Sequence, residues 1–525
     1  MKRILLIVAC SMMFASCGQE FLNLNPQDQL NLEGFYANQT DMNMAVLSAY
    51  SGLRDVGLTA LGEIRSDNTS YSWLAGNPID ERGIDEFKEP LLETNGYLNG
   101  MWNNCYRLIL RCNVVLAKNP GATFAQEKLR TQYEAEARFL RAYAYFVLNT
   151  VFQGYSADGK LLGVCKVDKL ISQAESYDIV RAPLEDIYNL IIEDLTFAAA
   201  NLPKSYGADD KGRVIQAGAV GMLAKVYMFM AGYPLNKGNE YYTKAIQQME
   251  NLFNNYPEVK LVQTYQHLWS SPQNMTLYTK NSTESLFEIQ YQKGAPNEST
   301  ACGWNNDFAP RFDDGTVLAS GSGGGSNAPT MNMSNAYEYG DPRKYVSMRD
   351  GWKSKAGIWQ NDKYVCKYYD KPISGNSNGN NWIVLRLADI YLLYAEALVR
   401  TGGDKAKAVD YVNKIRQRAR ATAGDPAITD APATLLRDYT VAEFASNDDL
   451  LLAIEKERRV ELAFEAHRWF DLVRTGRAKA CMELQQFDEI GPFTWDPNKL
   501  FYPIPEQVMQ QNPGKIIQNK GYVQK

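Results

Sequence analysis

Apolar residues return every three or four positions through most of this chain, the repeat of a helix that buries one face. From residue 41 onward the spacing predicts helices over 94–118, 126–150, 182–202, 214–232 and 239–256. Later it predicts 382–401, 405–420 and one long helix over 447–477. Three of these helices share a short signature in which alanine precedes tyrosine by three residues: Ala142 and Tyr145, Ala224 and Tyr227, Ala388 and Tyr391. Alanine lets a neighbouring helix approach and the ring one turn later fills the groove beside it, the packing of tetratricopeptide-type helix pairs. The copies are too far apart for a regular 34-residue array. A helix, the turn Gly402–Gly403 and a second helix with Ala408 near its start add one such pair.

The periodicity fails in two places. Between 261 and 381 it gives way to Trp269, Trp304, Trp352 and Trp359, many tyrosines, and glycine- and asparagine-rich runs at 320–329 and 374–381. A smaller break at 64–85 mixes acids, amides and rings. Long irregular segments inside a folded protein are commonly functional, and the tryptophans argue against disorder. The predicted fold class is therefore mainly α: tetratricopeptide-like helix pairs as a scaffold, with loop-rich insertions.

Composition narrows the function classes. A net charge of −5 with no basic cluster argues against a nucleic-acid partner. Two histidines, His267 and His467, cannot build a multi-histidine zinc site, and no cofactor is expected, although carboxylate-bound calcium stays open. Aromatic residues reach 12%, with 32 tyrosines, more than a mostly aliphatic core needs, so some rings should face solvent.

The N-terminus sets the compartment. Lys2 and Arg3 precede an apolar run and small residues before Cys17, the form of a secretory signal peptide too short to span a bilayer. The cysteine after small residues resembles a bacterial lipobox, which implies lipidation at Cys17, with Cys10 or a simple secreted form as the alternatives. The expected division is a signal peptide over 1–16, a tether over 17–40, an N-terminal helical region over 41–260, and a region over 261–525 with the larger insertion and the C-terminal helices. Six cysteines remain (Cys105, Cys112, Cys165, Cys302, Cys366 and Cys481), read as small buried hydrophobes, with one long-range bridge as the alternative.

The stretch ERRVELAFEAHRWFDLVRTG over 457–476 holds four acids and four arginines among apolar residues. Glu457, Glu461 and Glu465 recur at four-residue spacing along one helix face, with Arg458, Arg468 and Asp471 able to reach partners a turn away. A catalytic reading needs Glu457, Glu461 and His467 around one cavity. The spacing favours a structural clasp. Near the C-terminus, Pro503 and Pro505 predict an extended strap across the helices.

Several motifs together resemble the SusD/RagB family: RLADIYLLYAEAL over 386–398, the 457–476 stretch, LFYPIPEQVMQQNPGKIIQNKGY over 500–522, EARFLRAYAYFVL over 136–148 and YGDPRKY over 339–345. Ala466 stands where that family often has glycine. The resemblance implies a non-catalytic outer-membrane lipoprotein, facing the medium, that binds an oligosaccharide for a SusC-like TonB-dependent transporter. It also implies a helical scaffold with the ligand site in the insertions. The alternatives are a peptide-binding protein of the same architecture and a helical glycoside hydrolase.

Sugars offer apolar C–H faces and a rim of hydroxyls, so their sites pair exposed rings with Asp, Asn, Gln or Arg. The candidates on that chemistry are Asp67, Asn68, Tyr71 and Trp73 in the first insertion, and Trp304, Asn305, Asn306, Trp352 and Trp359 in the second. Asp307 and Arg311 are weaker candidates, and Gly321–Gly325 a possible edge of the site. Each tryptophan has the alternative of plugging the core beneath a loop.

Overall fold

The structure is a computed structural model that describes residues 35–57, 60–71, 79–87, 93–269, 278–294, 300–310, 314–317, 324–369, 378–422, 433–485 and 495–524. Its principal helices are α1 (Gln39–Gly52), α2 (Gly96–Lys118), α3 (Glu127–Phe152), α4 (Leu184–Asn201), α5 (Gln216–Ala231), α6 (Asn239–Asn255), α7 (Leu387–Arg400), α8 (Lys405–Thr422), α9 (Asn447–Glu461) and α10 (Arg468–Arg474). Their starts follow capping chemistry. The Asn95 side chain accepts from the free N–H groups of Tyr97 and Leu98 at the start of α2, and Ser446 with Asp449 forms a capping box on α9.

Each of α2 to α6 packs on the next, and α7 lies against α5, α6, α8 and α9. The signature alanines Ala142, Ala224 and Ala388 are fully buried, as close helix approach requires. One continuous apolar core runs through all of these helices. All six described cysteines are buried, with no disulfide among the described residues.

Two predicted helices differ from the structure. Residues 382–386 form a strand, Trp382–Arg386, paired antiparallel with Ser285–Ile289; only from Leu387 does the chain turn helical. The segment WIVLR is buried at every position, and a continuous apolar run shorter than two helical turns does not distinguish strand from helix. The long helix predicted over 447–477 breaks between Glu461 and Arg468, where Phe464 (φ 66°) and Ala466 (φ 62°) adopt left-handed backbone. That conformation accounts for the glycine that the SusD/RagB pattern often carries at the Ala466 position. Gly62 permits the loop's approach: a Cβ there would lie 2.6 Å from the Ala466 Cβ.

The acidic row survives the break and is the hub of a buried clasp. Arg343 and Arg416 bind Glu457 at 2.6 and 2.9 Å, Arg343, Arg386 and Arg418 converge on Glu461, and Arg386 and Lys367 bind Glu465, both at 2.8 Å. Asp341, the N-cap of the short helix Pro342–Ser347, also holds Arg343, so the predicted Asp-Pro-Arg turn is one arm of this network. Burial alone would raise the Glu461 carboxyl, but the three arginines outweigh it and hold the group at about 2. The C-terminal strap is fixed by Asn519, whose amide donates to the carbonyls of Phe152, Gln153 and Tyr502.

Candidate functional site

The clasp is the richest concentration of ionisable groups, and its geometry is that of structure. Besides the acidic row, Asp389 meets Lys225 and Arg458, Arg474 grips Glu396 through two hydrogen bonds, and His467 sits 3.1 Å from the Lys225 ammonium. Burial, and then the Lys225 charge, lower His467 to about 4, so its imidazole is neutral near pH 7. A cavity of about 290 Å³ opens beside this region, lined by Arg458, Arg459, Arg468 and Arg474 among others. Each of those guanidiniums already engages a carboxylate.

Two of the candidate ligand residues belong to that network. Asp67 takes Arg468 through both oxygens, at 2.7 and 2.8 Å, and these charges with Arg459 hold its carboxyl well below the usual range against the upward push of burial. Asn68 donates to Glu63 and accepts from Arg459. Tyr71 is buried, its backbone N–H on the Asp85 carboxylate. These residues hold the first insertion against the clasp, a role that only long-range folding creates: Arg468 lies 401 positions away in sequence.

The same anchoring joins the two insertions. Thr69–Ser70 pairs antiparallel with Ala328–Pro329, the Thr69 hydroxyl donates to Asn327, and Thr330 donates to the Asp67 carbonyl. Beside this seam lies a single 3₁₀ turn, Trp304–Phe308. The Trp304 ring packs edge-on against Tyr368 at 4.8 Å and Trp382 at 5.1 Å, so it supports the loop, and it also lines an open cavity of about 430 Å³ with Trp382, Tyr291, Arg54 and Arg111.

The polar atoms of the turn stand idle. Trp304 Nε1 and Asn306 Oδ1 are buried with no hydrogen-bond partner, and the Asp307 carboxylate makes no hydrogen bond or ion pair among the described residues. Burial first, and then the charge of Glu81, raise Asp307 to about 7. Glu81 accepts from the Tyr97 hydroxyl at 2.8 Å, and burial first, then the charges of Asp307 and Glu81, raise that phenol in turn. Gly324 closes the other side, its N–H on the Asn306 carbonyl at 2.8 Å and its backbone too near Asp307 for a side chain to intrude freely. A donor, an acceptor and a protonatable acid thus occupy four consecutive residues, of which Trp304 lines the cavity and Asn306 and Asp307 lie outside its wall; together they are the donor and acceptor set of a hydroxylated ligand.

The other candidates fall elsewhere. Trp352 is buried in a small cluster with Val317, Tyr364 and Cys366. Trp359, on the paired strand, is 59% exposed and lies across the Gly351 backbone. Neither lines the cavity. Asn305 belongs to the turn by its backbone. Cys17, Trp73, Arg311 and Gly321–Gly323 lie outside the described residues. Sequence reasoning missed Tyr97, Arg54, Arg111, Tyr291 and Trp382. The first three sit on or just after regular helices, and the one available signal was Tyr97 and Arg111, polar positions fourteen apart on one helix face.

The comparisons with known proteins agree with this architecture. The model of the SusD family matches residues 233–522, more than half of the chain. The chain belongs to the SusD family. A second model, described as starch-binding associating with outer membrane, matches residues 20–228. Among individual SusD-like proteins, P2 of Formosa agariphila is 25% identical over 95% of this chain and 96% of its own length. One from Bacteroides ovatus is 25% identical over 90% and 82%. The fold is that of the SusD superfamily protein from Parabacteroides distasonis, with a TM-score of 0.73, 24% identity, and coverage of 94% of this chain and 100% of that one. It is also that of a laminarin-binding SusD-like protein, with a TM-score of 0.70, 24% identity, and coverage of 93% and 100%.

Proposed function

We propose that this SusD-family protein is a non-catalytic glycan receptor of the outer membrane. It captures an oligosaccharide where its two insertions meet and passes it to a SusC-like TonB-dependent transporter. The observation that carries the reading is the turn Trp304–Phe308: aromatic rings for the sugar's C–H faces beside a buried donor and acceptor that the protein leaves unpaired. Asn306 and Asp307 take hydroxyls, and Trp304 and Trp382 supply stacking surface. Relatives described as laminarin-binding and as a surface glycan-binding protein support the ligand class.

The remaining parts follow from the N-terminus and the family. Residues 1–16 form the signal peptide, lipidated Cys17 anchors the protein at the outer face of the membrane, and 17–40 is the tether below the helical regions 41–260 and 261–525. No described helix is long and apolar enough to cross a membrane. Lipid anchoring keeps captured sugar near the transporter, raising its effective concentration there.

A glycan array probed with the purified full chain and with Asn306→Ala tests this. Binding by the parent that weakens in a variant of unchanged melting temperature is expected; silence of the parent across the array overturns the glycan reading. Release of reducing sugar from a bound glycan, abolished by Asp307→Asn, would overturn the non-catalytic part.

A further inference from the structure

The cavity behind Trp304 carries a charge that a neutral sugar leaves unused. Two guanidiniums line it. Arg111 donates only to neutral oxygens, the Ser48 carbonyl at 2.8 Å and the Ser51 hydroxyl at 3.2 Å. The Arg54 guanidinium is half-buried and has neither a hydrogen bond nor an ion pair among the described residues; its backbone carbonyl alone is engaged, by the Tyr291 hydroxyl. In the clasp, by contrast, Arg343, Arg386 and Arg418 each touch two or more carboxylates.

The acids do not neutralise this lining. Among the described residues that line it, Asp55 is the single acid, exposed and without an ion pair to either arginine, so two arginines against one aspartate leave one positive charge there. A partly desolvated guanidinium without an anion retains its full capacity for charge-assisted, two-pronged hydrogen bonding to a carboxylate or sulfate. Trp304, Trp382 and Tyr291 stand in the same wall, so one pyranose can set its C–H face on a ring while its anionic substituent meets Arg54.

We infer that this cavity takes an acidic sugar residue, carboxylated or sulfated, with Arg54 as its anion-binding side chain. The inference rests on the glycan-receptor reading and sharpens its substrate class. Arg54 lies two residues beyond the end of α1, where a change of side chain leaves the helix and the core intact.

Titration calorimetry on the purified full chain with two matched pairs tests it: tri-galacturonate against galactotriose, and a sulfated galactan tetrasaccharide against its desulfated form. At least one acidic member should bind ten times or more tighter than its neutral partner, and which one wins separates carboxylate from sulfate. The preference should fall to within twofold in Arg54→Gln, survive in part in Arg54→Lys, and shrink at high salt, with melting temperature unchanged. Equal binding of acidic and neutral members overturns the acidic class, and a preference that persists in Arg54→Gln overturns Arg54 as its anion-binding side chain; either leaves a glycan receptor standing. Failure of all four sugars to bind overturns the inference together with the reading beneath it.

Discussion

In the clasp Glu461 lies against three arginines; in the turn Trp304–Phe308 the Trp304 indole nitrogen and the Asn306 side-chain Oδ1 lie against nothing that bonds them. Both regions are polar and both drew attention in the sequence. The difference lies in charge pairing: the clasp carboxylates each meet an opposite charge, although Arg418 Nε is left without a partner there. Charges that meet their opposites inside a protein specify one arrangement of helices and leave no capacity for a ligand. Buried donors and acceptors left open cost stability unless a bound group completes them, and in the proposed reading that group is a sugar hydroxyl.

The sharpest way to break this comparison is to open the clasp. Arg386→Ala takes one buried cationic partner from each of Glu461, Glu465 and Glu284, and removal of one partner from such a network costs about 3–5 kcal/mol. Chemical denaturation should show that loss, while the fraction still folded binds sugar with unaltered affinity; a selective loss of binding would place the clasp in the site.

Acid should find the clasp next. His467 titrates near 4 in the folded protein against an ordinary 6.5, so between those values the unfolded chain holds more protons. Stability is therefore complete above about pH 6.5 and falls toward pH 4, by about 3 kcal/mol from this residue. Glu461, held at about 2, adds its own loss from roughly pH 4.5 downward. Urea midpoints at pH 7, 5.5 and 4 measure the slope, and His467→Gln should flatten its upper part. An unchanged slope in that variant would mean the imidazole is not held neutral.

The turn should respond in the opposite manner. Asn306→Ala removes a buried acceptor that lacks a partner, so the melting temperature should hold or rise slightly while affinity falls by about 1 kcal/mol, roughly fivefold. Destabilisation without loss of affinity would assign Asn306 to structure. The smallest effect belongs to Tyr97→Phe, which deletes the hydrogen bond to Glu81: stability should stay within about 0.5 kcal/mol, with affinity changed less than threefold. A larger fall in affinity would move the phenol from the rim to the centre of the site.

Some of this was legible in the residue order because it depends on near neighbours. Helical periodicity marked α2 to α6, since side chains three and four apart share a face whatever packs against it. The acidic row over 457–465 read as a clasp for the same reason, and the two insertions announced themselves by breaking the pattern. Trp382–Arg386 and the bend at Phe464 and Ala466 were not legible: a buried five-residue run suits strand or helix, and a left-handed alanine is favoured only by its surroundings.

The site divides in the same way. Trp304 and Asn306 could be named from ring and amide chemistry alone. Asp67 and Asn68 have that chemistry too, yet arginines from the far end of the chain claim them. Arg54 and Arg111 gave no local sign, and became candidates only when the end of α1 was folded against Tyr291 and Trp304. The sequence by itself determined which side chains could bond a ligand and which helices would carry them. The tertiary structure decided which of those groups were already occupied, because a hydrogen bond or ion pair is settled by distance in space, and hundreds of residues of chain can separate its partners.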